Sequence, residues 1–174
     1  MIFNFTTKIN KLQDILNILM LNKLNINDRM FVVICMNLIK FYDFLPEDAK
    51  NIRQTVFVEE QGFVNEFDET DNNCVHALLF YNGIAAATAR MFIDNNGKSF
   101  HIGRVAVLKE YRGKELGTEI VNALCIEAKK KGAQICELSA QCRVTKFYES
   151  LGFKQSGDIY YDESCPHIHM EKIL

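Results

Sequence analysis

Residues 104–117 read RVAVLKEYRGKELG. A strand-like run, RVAVL, meets a short basic turn, KEYRGK, which opens into the helical pattern ELGTEIVNALCIEAKKKG. The first turn of a helix presents backbone N–H groups with no partner in the chain, together with the positive end of the helix dipole. It is therefore a ready anion site. Arg112 and Lys114 add fixed positive charge at that point, and Gly113 and Gly117 let backbone come close to a ligand. The junction implies a site for a phosphorylated cofactor.

Outward from this junction the pattern is regular. Residues 38–42 predict a strand. Residues 46–61 predict a helix, with Pro46 in its first turn and Glu47 and Asp48 favouring its N-terminus. The acidic segment NEFDETDNN follows. Residues 75–81 and 84–93 predict two strands joined at Asn82-Gly83, the strongest short hairpin signal. A second turn is expected at 94–97 and a third strand of this group at 99–108. The helix at 114–131 carries Leu116, Ile120, Val121, Leu124 and Ala128 on its apolar stripe. It ends at Gly132 after three lysines, which suits a helix C-terminus. A strand at 134–139, a short helix at 144–151, and closing strands at 153–157 and 167–173 complete the order. This describes an α+β domain with a mixed, mainly antiparallel sheet flanked by helices.

The chain has 174 residues, 48% of them hydrophobic, which suits one such domain and not two. Residues 1–35 are rich in Asn, Ile, Leu and Lys and hold no Gly or Pro. They predict an N-terminal extension with one amphipathic helix at 11–24, ahead of a domain over residues 36–174. A net charge of −2 does not suggest nucleic-acid binding. No apolar run approaches the about 20 residues of a membrane span, so stable membrane insertion is not expected. The six cysteines, Cys35, Cys74, Cys125, Cys136, Cys142 and Cys165, lack CxxC spacing. Free thiols in a reducing cytoplasm are the simpler reading.

Three blocks resemble the GNAT superfamily of acyl-CoA-dependent N-acyltransferases. RVAVLKEYRGKELGTEIVNAL is similar to the family's strand, R/Q-x-x-G-x-G/A turn and helix. VTKFYESLGF is similar to its late helix, with a Tyr and a Leu-Gly-Phe exit. IRQTVFVEEQGF and YYDESCPHIHMEK resemble the ElaA/YjcF-like branch. The resemblance spans residues 37–174. It implies an acetyltransferase that uses acetyl-CoA as co-substrate and a small-molecule or peptide amine as acceptor. A GNAT-fold module that binds CoA without turnover is the alternative. Similar proteins are commonly dimers, so a homodimer is an expectation by analogy.

The resemblance also implies residue roles. Val105, Ala106 and Val107 would pair with the pantetheine arm as an added strand would. Arg112, Gly113, Lys114, Glu115, Leu116, Gly117 and Thr118 would hold the pyrophosphate. The family usually has Gly where this chain has Glu115; the preferred reading turns that side chain to solvent and its N–H to the ligand. Tyr148 is the expected general acid: a phenol of pKa about 10 can donate to a thiolate whose conjugate acid lies near ~8.5. Ser139, Gln141 and Arg143 would line a splay between strands. For the base, Glu59 and Glu60 are favoured over the acidic loop, with neither singled out. Glu66 and Asp68 belong to an acidic wall that would attract a cationic amine, and His167 would shape the acceptor site or relay a proton. Arg53, Arg90 and Arg104 are read as partners of the acidic loop. Cys165, His167 and His169 lack a fourth ligand, so no metal site is expected.

Overall fold

The computed structural model describes residues 37–94 and 97–174. The expected extension over residues 1–35 with its helix at 11–24, and Asn95 and Asn96 of the expected turn, lie outside the described residues. In chain order the main elements are β1 (Asn37–Tyr42), α1 (Glu47–Arg53), β2 (Val75–Tyr81), β3 (Ile84–Ile93), β4 (Ser99–Val107), α2 (Leu116–Lys130), β5 (Ile135–Gln141), α3 (Thr145–Ser150), β6 (Lys154–Asp162) and β7 (Cys165–Ile173). The strands form one sheet in the order β1-β2-β3-β4-β5-β7-β6. Every neighbouring pair is antiparallel except β4 with β5. The α+β expectation therefore holds.

Both faces of the central strands are covered. Strand side chains alternate between faces, so Ala77 and Leu79 of β2 pack on the α2 side while Leu78 packs on the α1 side. The α2 stripe of Leu116, Ile120, Val121, Leu124 and Ala128 is buried, as its spacing predicts. Full burial of a leucine such as Leu124 contributes about 1.5–3 kcal/mol relative to exposure. Ala49, Ile52 and Val56 close the other face against Leu78 and Ala106. The β2–β3 turn has positive φ at both Asn82 and Gly83, the conformation that makes Asn-Gly a hairpin signal.

The expected helix at 46–61 is α-helical only to Arg53. It then widens into a π-helical stretch, Gln54–Glu59, marked by the bond from Glu60 N–H to the Thr55 carbonyl at 3.0 Å. Such widened turns concentrate at functional sites. The closing strands are longer than expected. β6 runs through Gly157 and Asp158 because β7 pairs with it on both sides of an irregularity between Ser156 and Tyr160.

β4 carries a bulge that shapes the rest. Gly103 pairs with Arg90 and Ala106 with Thr88, so Arg104 and Val105 face Ala89 alone. Arg104 adopts φ 53° there. Bulges bend a strand and increase its twist. β4 accordingly pairs with β5 only from Ser99 to His101, and the two strands part beyond that point.

A buried charge cluster fixes this end of the sheet. Arg53 binds Glu66 at 2.7 Å and Asp71 at 2.6 Å; Arg90 binds Asp71 and Asp68, each at 2.7 Å; Arg104 binds Glu66 at 3.0 Å and Asp68 at 3.2 Å. The guanidinium of Arg53 also lies over the Phe67 ring. The three arginines are thus partners of the acidic loop, as the sequence reading expects. Hydrogen bonds from Arg90 hold the Asp68 carboxyl well below its usual range. Burial pushes Asp71 up, but Arg53 and Arg90 together outweigh it and hold that carboxyl low as well.

Removing one partner of a buried ion pair strands the other charge, at a cost of about 3–5 kcal/mol. Arg53→Met should lose stability on that scale in urea unfolding. The folded pKa values of Asp68 and Asp71 are depressed, so their contribution is complete above the ordinary carboxylate pKa near ~3.9 and is lost as pH falls below it. Melting temperature should therefore drop below about pH 4, and Asp68→Asn should flatten that drop.

Candidate active site

The divergence of β4 from β5 opens a cleft of about 910 Å³. Backbone of β4 from 102 to 107 forms one wall, Ser139 and Gln141 of β5 the other, and the start of α2 closes one end. The π-helical stretch and the β6–β7 turn border the far end through Phe57, Glu60, Asp162 and Glu163.

At the α2 end, Glu119 N–H is the first to bond back into the helix, to the Glu115 carbonyl at 3.0 Å. The N–H groups of Leu116, Gly117 and Thr118 thus lie in the orphan first turn, and all three residues border the cleft. Val105, Ala106, Val107, Arg112, Gly113 and Glu115 border it too. Lys114 does not: its ammonium sits 5.5 Å from the centre of the Tyr81 ring. Arg112 is held in place, donating from Nε to the Val107 carbonyl (2.9 Å) and from a terminal nitrogen to Glu60 (2.7 Å). Past His101, the edge of β4 that faces β5 has no strand partner, leaving backbone groups for an extended ligand.

Glu115 has φ 60° and ψ 13°, the left-handed conformation that glycine adopts without cost. This is a physical reason for glycine at that place in the motif. The exposed Glu115 side chain makes no capping bond, so the turn keeps its backbone course at the expense of local strain.

Tyr148 is buried beside this site, at 9% exposure, edge-on to Phe147 and Phe153. It borders the cleft. Its hydroxyl has no hydrogen-bond partner among the described residues. Burial pushes the phenol pKa up, so Tyr148 is a neutral O–H donor at ordinary pH. Gly117 is what brings it close. A Cβ at Gly117 would stand 3.3 Å from Phe147 Cζ, so the missing side chain lets α3 seat against the start of α2.

The carboxylates are arranged differently from an open acidic wall. Glu59 is exposed and does not border the cleft. Glu60 borders it with its charge paired to Arg112. Glu66 borders it from a buried position, gripped by Arg53 and Arg104, and Asp68 is set back from the lining and paired with two arginines. His167 is brought into the cleft at 6% exposure. Arg143 and Gln141 also border it, and Gln141 links the two sides by donating to Gln61 at 2.9 Å and accepting from Arg143 at 2.8 Å.

Some participants carry no signal in sequence. Glu163 at the β6–β7 turn accepts from the N–H groups of Val64 (3.1 Å) and Asn65 (3.0 Å), tying that turn to the loop after the π-helical stretch. Tyr160 donates its hydroxyl to Ser139 Oγ. Only the alternation of the last two strands, read at full length, would have put Tyr160 and His167 side by side.

Asp71, Cys74 and His76 offer ligand atoms within 4.8 Å of one another. They do not suit a cation. Asp71 is taken up by Arg53 and Arg90, and His76 Nε2 bonds the Asp71 carbonyl at 3.0 Å. Two neighbouring guanidinium groups would repel a metal. His169 pairs with Glu171 at 3.2 Å and does not join His167. Among the described residues no helix is long and apolar enough to cross a membrane.

Comparison with known proteins agrees with this geometry. Residues 43–174 match the family model described as an acetyltransferase (GNAT) domain. A candidate acetyltransferase of Bacillus subtilis is 36% identical over 130 residues, covering 71% of this chain and 86% of that protein. A candidate N-acetyltransferase of Lactobacillus plantarum superposes with a TM-score of 0.73 at 28% identity, covering 79% of this chain and 98% of that one. Escherichia coli ElaA superposes with a TM-score of 0.70 at 25% identity, covering 79% and 99%.

Relief of the left-handed strain at Glu115 is worth about 1–2 kcal/mol, and the extra freedom of an unfolded glycine takes back about 0.4–1 kcal/mol. Glu115→Gly should therefore raise the stability measured in urea by about 1 kcal/mol. A loss would show that the Glu115 side chain is held by contacts of its own.

Proposed function

The chain belongs to the GNAT family of acetyltransferases, and from that premise we propose that it moves the acetyl group of acetyl-CoA to a primary amine by direct attack. The observation that carries this reading is the meeting, in one cleft, of an orphan helix start, an unpaired strand edge and a buried, protonated tyrosine. The N–H groups of 116–118 and the Arg112 guanidinium would hold the pyrophosphate. The free edge of β4 would pair with the amides of the pantetheine arm, aiming the thioester into the splay between Val105 and Ser139.

The acceptor amine enters from the side bordered by Gln61, Asn65, Gln141 and Glu163. Its nitrogen lone pair attacks the thioester carbonyl carbon. The C–N bond forms, the C–S bond breaks, and the departing sulfur takes the Tyr148 proton. The proton shed by the new amide nitrogen restores the phenol. Catalysis here is positioning plus proton supply, in a site whose donors are fixed before the substrate arrives.

Release of free CoA from acetyl-CoA over a panel of amines tests the reading directly. Turnover with at least one amine is expected. Saturable acetyl-CoA binding without CoA release would instead mark a binding module. Tyr148→Phe should cut kcat by about 10²-fold or more while leaving acetyl-CoA binding in place, and unchanged turnover would remove the acid role. Glu60→Gln separates the two tasks open to Glu60. With pairing to Arg112 as its task, turnover persists and acetyl-CoA binds at least as tightly; as the base, its loss would abolish turnover.

A further inference from the structure

We propose that His167 is the general base of this reaction, taking the proton of the acceptor's ammonium group at Nε2. The inference rests on the acetyl-transfer reading and supplies the one step that reading leaves open. An alkylamine with a pKa near ~10 is almost wholly protonated at neutral pH and has no lone pair to attack with. Some group in the cleft must accept that proton.

Glu115, at the α2 end, and Asp162, at the β6–β7 turn, border the cleft from exposed positions, and the other three carboxylates are occupied. Glu60 is bound to Arg112, and Glu66 to Arg53 and Arg104. Glu163 accepts backbone N–H bonds from Val64 and Asn65. Burial raises the Glu66 carboxyl above its ordinary pKa, but Arg53 and Arg104 each hold one of its two oxygens.

His167 is prepared for the task. Its Nδ1 lies 2.9 Å from the Cys165 carbonyl oxygen. A carbonyl oxygen only accepts, so Nδ1 carries the hydrogen and Nε2 carries the lone pair. The bond to the backbone of its own strand sets tautomer and ring orientation together. Tyr160 stacks on the ring from β6, with centroids 6.1 Å apart, and is itself anchored to Ser139. On the other flank Gln141 of β5 is the strand partner of His167. The ring is thus held from its own strand and from β6, its Nε2 has no partner among the described residues, and the residue borders the cleft.

The charges around it come from several elements. β5 offers the neutral Ser139 and Gln141 and, farther along, Glu137; β6 offers Tyr160 and Asp162; β7 offers His169, which lies 3.2 Å from Glu171 and 3.8 Å from Glu137. Around the rest of the cleft stand Tyr148, Tyr111, Arg104, Arg112, Arg143, Glu115 and the paired carboxylates named above. The step balances simply. The ammonium N–H bond breaks, its proton adds to Nε2, and the imidazolium later returns that proton to solvent. One proton leaves per acetyl transferred, while the Tyr148 proton goes to sulfur.

The test is His167→Asn, which keeps an N–H able to reach the Cys165 carbonyl but has no basic nitrogen. Expected are an unchanged melting temperature and acetyl-CoA affinity, with kcat on an alkylamine at neutral pH reduced by about 10²–10⁴-fold. With hydroxylamine, whose nitrogen is largely unprotonated near neutral pH, the loss should shrink below about tenfold. Raising the pH toward the alkylamine pKa should recover much of the rate in the same way. An equal loss with both nucleophiles would make His167 a positioning residue and overturn the proposal, as would full activity of the variant. If the unaltered protein releases no CoA with any amine, the acetyl-transfer reading itself falls and this inference falls with it.

Discussion

Everything around the cleft depends on the cluster of Arg53, Arg90 and Arg104 with Glu66, Asp68 and Asp71. Its members come from the last turn of α1, the polar loop that follows, β3 and the β4 bulge. Three guanidinium groups meet three carboxylates, so the cluster is neutral as a whole although Arg53 and Glu66 are almost fully buried. Such an arrangement adds little net stability over an apolar core, because desolvation offsets attraction. Its effect is geometric. Bidentate contacts allow few arrangements of backbone, and they hold a loop without regular strands flat against the end of a sheet. Arg104 is both a member of the cluster and the bulge residue with positive φ, so the ions and the kink in β4 fix each other.

From that kink the functional geometry follows by sheet mechanics. A bulged β4 twists away from β5 after three paired residues, and the gap exposes one strand edge without exposing a sheet edge to bulk solvent. The same strand runs into the turn that starts α2. One continuous segment therefore presents a row of backbone groups and then an orphan helix start. Gly117 lets α3 approach, which sets Tyr148 beside both. Across the gap, Gln141 with Gln61 and Glu163 with the 64–65 backbone tie the β6–β7 hairpin to the loop that the arginines hold. The two ends of the cleft are thus set by one network.

Much of this was legible in sequence. The Asn82-Gly83 hairpin and the apolar stripe of α2 rest on local rules, and each appears where those rules put it. The α2 end of the cleft was legible because the residues that form it are consecutive. Three things were not. The π-helical widening after Arg53 leaves no mark in a helical pattern that stays apolar on the same side. β6 is exposed along its whole length, so Gly157 and Asp158 read as an end when they lie inside an irregular pairing. The loop carboxylates read as an open wall because the distance to an arginine cannot be seen along the chain; in space Glu66 and Asp68 are already paired.

The sequence by itself determined the order of elements, the family and the position of the junction from β4 to α2, since all of these depend on neighbouring residues and short periods. Only the tertiary structure decided which side chains are free to react. Lys114 is turned onto Tyr81, Glu60 is paired with Arg112, and His167 lies in the cleft with its tautomer set by a carbonyl two residues away. The physical reason is that availability for chemistry depends on what each charged or polar group already touches. Those partners stand 13 residues away for Arg53 and Glu66 and 52 for Glu60 and Arg112, brought together by the sheet and not by the chain.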